Sequence, residues 1–169
     1  MIKILFVCHG NICRSPMAEF VLKQKVKERG VAADFHIESA ATSNEEIGNP
    51  VYPPARKKLA EHGIRCDGKT ARRMRKEDYA QYDYIIGMDG ENRYDMKRIA
   101  GGDPDGKISC LMDYTDRPRE VADPWYTRNF DATWNDVCEG CDAFLEYIGY
   151  CSWTDRNLRT PGIEKSRIL

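Results

Sequence analysis

Short, unbroken apolar runs alternate along the chain with longer stretches in which apolar residues recur every three or four positions. That alternation predicts strands feeding helices around a parallel sheet, an α/β class. Residues 2–7 form the first run, and residues 16 to about 29 read as a helix, with Ser15 as N-cap, Pro16 at the first helical position and Gly30 closing it. Residues 35–39 read as a second strand and 55–62 as a helix ended by Gly63. Residues 84–88 and 108–111 supply two more buried strands, with a helix over 91–100 between them. Residues 113–129, holding Pro118 and Pro124, are too polar and broken for an element, and a loop this long in a compact domain usually serves function. Phe130, Trp134, Val137, Cys138, Cys141, Phe144, Leu145 and Ile148 then mark one apolar face of a long helix. Beyond Tyr150 the periodicity is lost and Pro161-Gly162 opposes a continuous helix, so the expected organisation is one domain over residues 1–150 and a tail over 151–169.

Composition narrows the function classes. The 169 residues amount to one domain, and 26 Lys+Arg against 27 Asp+Glu leave a net charge of −1, which provides no global field for nucleic acid or an anionic membrane. The first apolar run is too short for a signal peptide or a membrane span, so a soluble cytoplasmic protein is expected. Seven cysteines, odd in number and unevenly spaced, then read as thiols rather than as a disulfide framework. Cys138-x-x-Cys141 lacks a second Cys/His pair for a zinc site and reads as two small residues on a helix face; no metal and no cofactor are expected.

The chemistry concentrates where the first strand turns into the first helix: Cys8-His9-Gly10-Asn11-Ile12-Cys13-Arg14-Ser15-Pro16. Spacing alone proves little, since seven Cys and 15 Arg give roughly 0.6 chance occurrences of Cys-x5-Arg, and Cys66 with Arg72 is a second one. Context separates them. Only Cys8 follows an apolar strand and precedes a helix, at the carboxyl edge of the sheet where open α/β folds bind ligands. The free N–H groups and positive end of that helix make an anion site; Gly10 permits close backbone approach, and Arg14 offers a planar fork for two phosphate oxygens. No Gly-Lys-Ser/Thr follows, which excludes a Walker nucleotide loop. The same field favours the thiolate of Cys8 and makes it the expected nucleophile. Attack on phosphorus needs an acid for the leaving oxygen, and Asp123 of Asp123-Pro124-Trp125-Tyr126 is the candidate, although other carboxylates flank it.

The run from Cys8 through Ser15-Pro16-Met17-Ala18-Glu19 resembles the signature of the low-molecular-weight protein tyrosine phosphatases. The likeness continues through Ser39-Ala40-Ala41-Thr42-Ser43, Gly48, Lys76-Glu77-Asp78, Met88-Asp89, Asp123-Pro124 and the last helix, over roughly residues 1–150. It implies a flavodoxin-like three-layer sandwich with a four-stranded parallel sheet. It further implies a phosphocysteine on Cys8, phosphate held by the loop and Arg14, Asp123 as general acid then base, Asn11 and Ser39 bracing the loop, and Ser15 assisting the thiolate. Cys13 then matches a second cysteine able to form a protective disulfide with the first. The implied substrate is a phosphotyrosine-containing protein or a small aryl phosphate, taken by a monomer or weak dimer.

Three departures bear on specificity. Glu45 stands where relatives often carry a bulky aromatic, Trp125-Tyr126 replaces two tyrosines, and Lys69 replaces a mid-chain histidine of the bracing network. The pocket is therefore expected to be formed by His9, Gly10, Asn11, Ile12, Cys13 and Ser15, with Glu45, Trp125 and Tyr126 at its rim. Relatives that hydrolyse phosphoarginine typically carry Thr at the place of Ile12; a branched apolar wall suits an aryl ring instead. Phosphoarginine hydrolysis is the alternative, and arsenate reduction is disfavoured because residues 87–106 hold no cysteine relay. A phosphocysteine transfer domain is disfavoured by Asp123-Pro124 and the loop ending, and a Cys-His hydrolase would need His36 or His62, which read as surface residues. The basic run over residues 69–76 reads as a solvated face.

Overall fold

The structure, a computed structural model, describes residues 1–151; the tail expected from 151 lies outside the described residues from 152 onward. Four strands, β1 (Ile2–Cys8), β2 (Phe35–Ala41), β3 (Tyr84–Gly87) and β4 (Ile108–Cys110), pair in parallel in the order β2-β1-β3-β4. The helices are α1 (Arg14–Glu28), α2 (Pro53–Glu61), α3 (Asp78–Gln81), α4 (Gly90–Ala100), α5 (Pro124–Thr127) and α6 (Phe130–Tyr147).

Alternation along β1 explains the three layers. Ile4, Phe6 and Cys8 point to a core built with Met17, Val21 and Leu22 of α1, Leu59 of α2, and Val137, Cys141 and Phe144 of α6. Leu5 and Val7 point the other way, to Met74, Tyr82, Ile85 and Met96. A strand buried on both faces must be apolar at every position, which is why the run is continuous. The sheet is thus a flavodoxin-like α/β sandwich, as the resemblance implies. Gly140 lets the far end of the sheet close against α6: a Cβ there would lie 2.4 Å from Leu111 Cγ.

Several expectations need correction. Helix α1 begins at Arg14, one residue before Ser15, with Cys13 at the N-cap and Pro16 inside the first turn, where its missing N–H has no intrahelical partner to lose. Ser15 does not cap because its hydroxyl is taken by the loop in front of the helix. Residues 113–129 are not wholly irregular: a 3-10 turn spans Leu111–Tyr114, and α5 is a one-turn helix with Asp123 as N-cap, its Oδ1 accepting from Trp125 N at 3.0 Å. Such short turns leave no periodicity to read. The basic run is not simply a solvated face either. Lys69 is turned inward to Glu19 and Ser39, and the Arg72 guanidinium pairs with Asp78, which is 1% exposed.

Candidate active site

The site is built on the loop between β1 and α1. Cys8 ends the central strand, 3% exposed, with its Sγ 3.1 Å from Ser15 Oγ and receiving the Asn11 N–H at 3.3 Å. Asn11 adopts the left-handed backbone (φ 58°), which costs a residue with a Cβ of order 1 kcal/mol. Side-chain bonds hold it there: Nδ2 donates to Ser15 Oγ at 2.8 Å and to Ser39 Oγ at 2.9 Å, and Oδ1 accepts from Arg72 N at 3.2 Å.

The bracing continues inward. Ser39 Oγ donates to Glu19 Oε1 at 2.7 Å, and Glu19, 3% exposed, is neutralised by Lys69 Nζ at 3.1 Å and Lys23 Nζ at 2.7 Å. Lys69 also donates to the Ser39 carbonyl at 3.0 Å. The Lys69 ammonium thereby closes the network that runs from Asn11 through Ser39 to Glu19. Asn11→Ala should cost roughly 2–4 kcal/mol, from the lost buried hydrogen bonds and from the greater cost of the left-handed backbone to alanine than to asparagine. Asn11→Gly, which relieves the strain but not the bonds, should cost about 1 kcal/mol less. Urea unfolding of the two variants measures the difference, and equal losses would place no strain at Asn11.

Arg14 is 3% exposed and points to the opposite wall. Its Nη1 donates to Asp89 Oδ2 at 2.7 Å and to the Val121 carbonyl at 2.9 Å, while Nη2 meets Asp123 Oδ2 at 3.3 Å. Burial opposes the guanidinium charge, but Cys8, Asp89 and Asp123 hold its pKa above the usual arginine value. Cys13 is also buried; burial, with the nearby Cys8 and Asp123, pushes its thiol up to about 12 and keeps it protonated.

One cavity of about 120 Å³ collects these groups. Cys8, His9, Gly10, Ile12, Cys13 and Arg14 line its floor, with Glu45 and Glu46 on one wall and Asp123, Trp125 and Tyr126 on the other. His9 Nε2 lies 3.1 Å from Glu45 Oε2 on the exposed rim. Gly10 earns its place by close approach to the wall, since a Cβ there would stand 3.3 Å from Glu46 Cγ. Asn11, Ser15 and Ser39 are buried behind this floor.

Other sequence candidates lie elsewhere. Cys66 is a buried cysteine outside the cavity, and Cys141 packs on α6 with its Sγ 3.9 Å from the Ala18 carbonyl. His36 sits beside Glu38 at 3.4 Å, and His62 stacks on Trp134 with ring centroids 3.8 Å apart; neither lines the cavity. Sequence reasoning gave no role to Asp89, Glu46 or Tyr52. Asp89 had a usable signal, standing just past a predicted strand and ahead of a predicted helix, where it caps α4 by accepting from Asn92 N at 2.7 Å. Tyr52 had none; it reaches the rim by packing on Trp125 at 5.0 Å between centroids.

A model of the low molecular weight phosphotyrosine protein phosphatases matches residues 3–151, from the start of β1 to the end of the described chain. The chain belongs to that family. Similar relatives include the low molecular weight protein-tyrosine-phosphatase YfkJ of Bacillus subtilis, 37% identical over 150 residues, covering 88% of this chain and 96% of YfkJ. Another is PtpA of Staphylococcus epidermidis, 36% identical over 149 residues and covering 88% of this chain and 94% of PtpA. The crystal structure of YfkJ superposes with a TM-score of 0.84 at 38% identity, covering 88% of this chain and 94% of that one. DARP, a drosophila arginine phosphatase, superposes with a TM-score of 0.81 at 29% identity, covering 88% and 98%. The chain is thus a phosphatase of a family that acts on phosphotyrosine, and no helix among the described residues is long and apolar enough to cross a membrane.

Proposed function

We propose that this phosphatase hydrolyses phosphotyrosine in two steps through a phosphocysteine on Cys8. The observation that carries the proposal is that the Cys8 thiol, the Arg14 guanidinium and the Asp123 carboxyl line a single cavity. In the first step the Cys8 thiolate attacks phosphorus, the phenolic P–O bond breaks, and Asp123 gives its proton to the departing oxygen. Loop N–H groups and Arg14 hold the other phosphate oxygens, and the guanidinium is already oriented by Asp89 and the Val121 carbonyl. In the second step Asp123 takes a proton from water as it attacks the phosphocysteine, and the sulfur leaves as thiolate. The Asn11 N–H and Ser15 hydroxyl beside Sγ stabilise that leaving charge. Release of free phosphate from a phosphotyrosine peptide, with the phosphoryl group trapped on Cys8 by rapid quench and mass analysis, tests the sequence of steps; a label on any other residue overturns it.

Ile12, Trp125 and Tyr126 give the cavity an apolar lining suited to an aryl ring. A second reading, phosphoarginine, draws support from the two carboxylates Glu45 and Glu46 on the wall and from the name of the similar DARP. Glu45 is exposed and already faces His9, so solvent screens its attraction for a guanidinium, whereas Ile12 is only 8% exposed. Phosphotyrosine is therefore expected to be favoured in kcat/KM, and Ile12→Thr to narrow the preference by roughly tenfold, the scale of a changed polar contact in a pocket. Parallel assays of the two substrates decide it: a parent enzyme that favours phosphoarginine reverses the assignment.

A further inference from the structure

Arg128 occupies a backbone position that favours glycine. It closes α5 at φ 58° and ψ 15°, in the left-handed region, directly after the turn that carries Asp123, Trp125 and Tyr126. A residue kept there with a Cβ points to a side chain that does something. Its guanidinium bridges two aromatic residues: Nη1 donates to Tyr52 Oη at 3.0 Å, and Cζ lies 5.5 Å from the centre of the Trp125 ring. Tyr52 in turn packs on Trp125, 5.0 Å between centroids, and on Phe130 at 6.2 Å. Trp125 lines the cavity while remaining 41% exposed, and its ring packs on Tyr52 beneath the Arg128 guanidinium at the cavity edge.

We propose that Arg128 is a positioning residue that latches Trp125 against Tyr52 and so sets the aromatic wall that selects an aryl phosphate. The proposal rests on the reading of Trp125 as part of the aryl-binding wall. Tyr52 lies in the segment just before α2, so the latch ties the turn bearing Asp123 to the start of that helix. Its effect belongs to ring binding, because Arg128 is absent from the floor that would hold the phosphate.

Arg128→Gly is the informative variant, since it removes the guanidinium at a position whose backbone suits glycine and so spares the fold. The expected result is a KM for a phosphotyrosine peptide raised roughly fivefold to thirtyfold, the worth of one cation–π contact with one hydrogen bond, with kcat changed by less than about twofold. Inhibition by inorganic phosphate, which reports the loop alone, should be unaltered, while inhibition by benzylphosphonate weakens with the KM. In a Tyr52→Phe background the Arg128→Gly penalty should shrink, because the hydrogen bond is already gone. An unchanged KM, a parallel loss of phosphate inhibition, or fully additive penalties with Tyr52→Phe would each overturn the latch. Trp125→Ala separates the two layers of inference. If it raises the peptide KM while Arg128→Gly does not, only the latch fails; if it leaves the KM unchanged, the aryl-wall reading fails and the latch with it.

Discussion

Cys8→Ser is expected to reduce turnover by on the order of 10⁴-fold or more, because a serine hydroxyl in the same cradle is a far poorer nucleophile and leaving group than a thiolate. The variant should still bind phosphate or vanadate. Its remaining cradle is intact: Asn11 is held by Ser15, Ser39 and the Arg72 backbone, and Arg14 by Asp89 and the Val121 carbonyl. Equilibrium binding measured beside single-turnover kinetics checks both halves. Wild-type turnover in the serine variant would remove Cys8 from the mechanism, and loss of oxyanion binding would mean that the thiol, rather than the loop, holds the cradle together.

The second large effect falls on Asp123. Asp123→Asn should slow esters with poor leaving groups by roughly 10²–10⁴-fold and good leaving groups far less, because only the former require the proton at bond breaking. The amide keeps the shape of the N-cap that accepts from Trp125 N, so the fold of α5 is preserved and a change in leaving-group dependence reads chemistry rather than structure. A uniform loss across leaving groups would assign the acid elsewhere.

The sheet was legible because burial on both faces leaves continuous apolar runs, and the loop because Cys8 stands at the end of the first run and Arg14 at the start of a helix. Ser15 shows the limit of capping rules. A hydroxyl in the right place for a cap was drawn instead to Cys8 and Asn11, partners that only the folded loop supplies. The one-turn helix at Pro124–Thr127 did carry a local sign, an Asp followed directly by Pro, which is an N-cap ahead of a first helical position. The polar surroundings of that pair masked it. Lys69 and Arg72 illustrate a different difficulty: a run of cations does not say which members turn inward, since that depends on Glu19 and Asp78, distant or ordinary-looking carboxylates until the chain is folded. Tyr52 reached the rim through packing alone, on Trp125 and Phe130.

Strand β1 is paired along its length to β2, with Cys8 opposite Ala41, and over Ile4–Phe6 to β3, so the end that carries Cys8 is anchored in the sheet. The turn carrying Asp123 has a different character, a single helical turn with Trp125, Tyr126, Thr127 and Arg128 exposed. Amide hydrogen exchange is expected to be slow behind the thiol, where opening requires the sheet to come apart, and fast along the turn, where a local fluctuation suffices. Side chains over residues 125–128 can therefore be exchanged at little cost to the core, while a substitution in the strand that presents the sulfur is felt on both packed faces of the sheet.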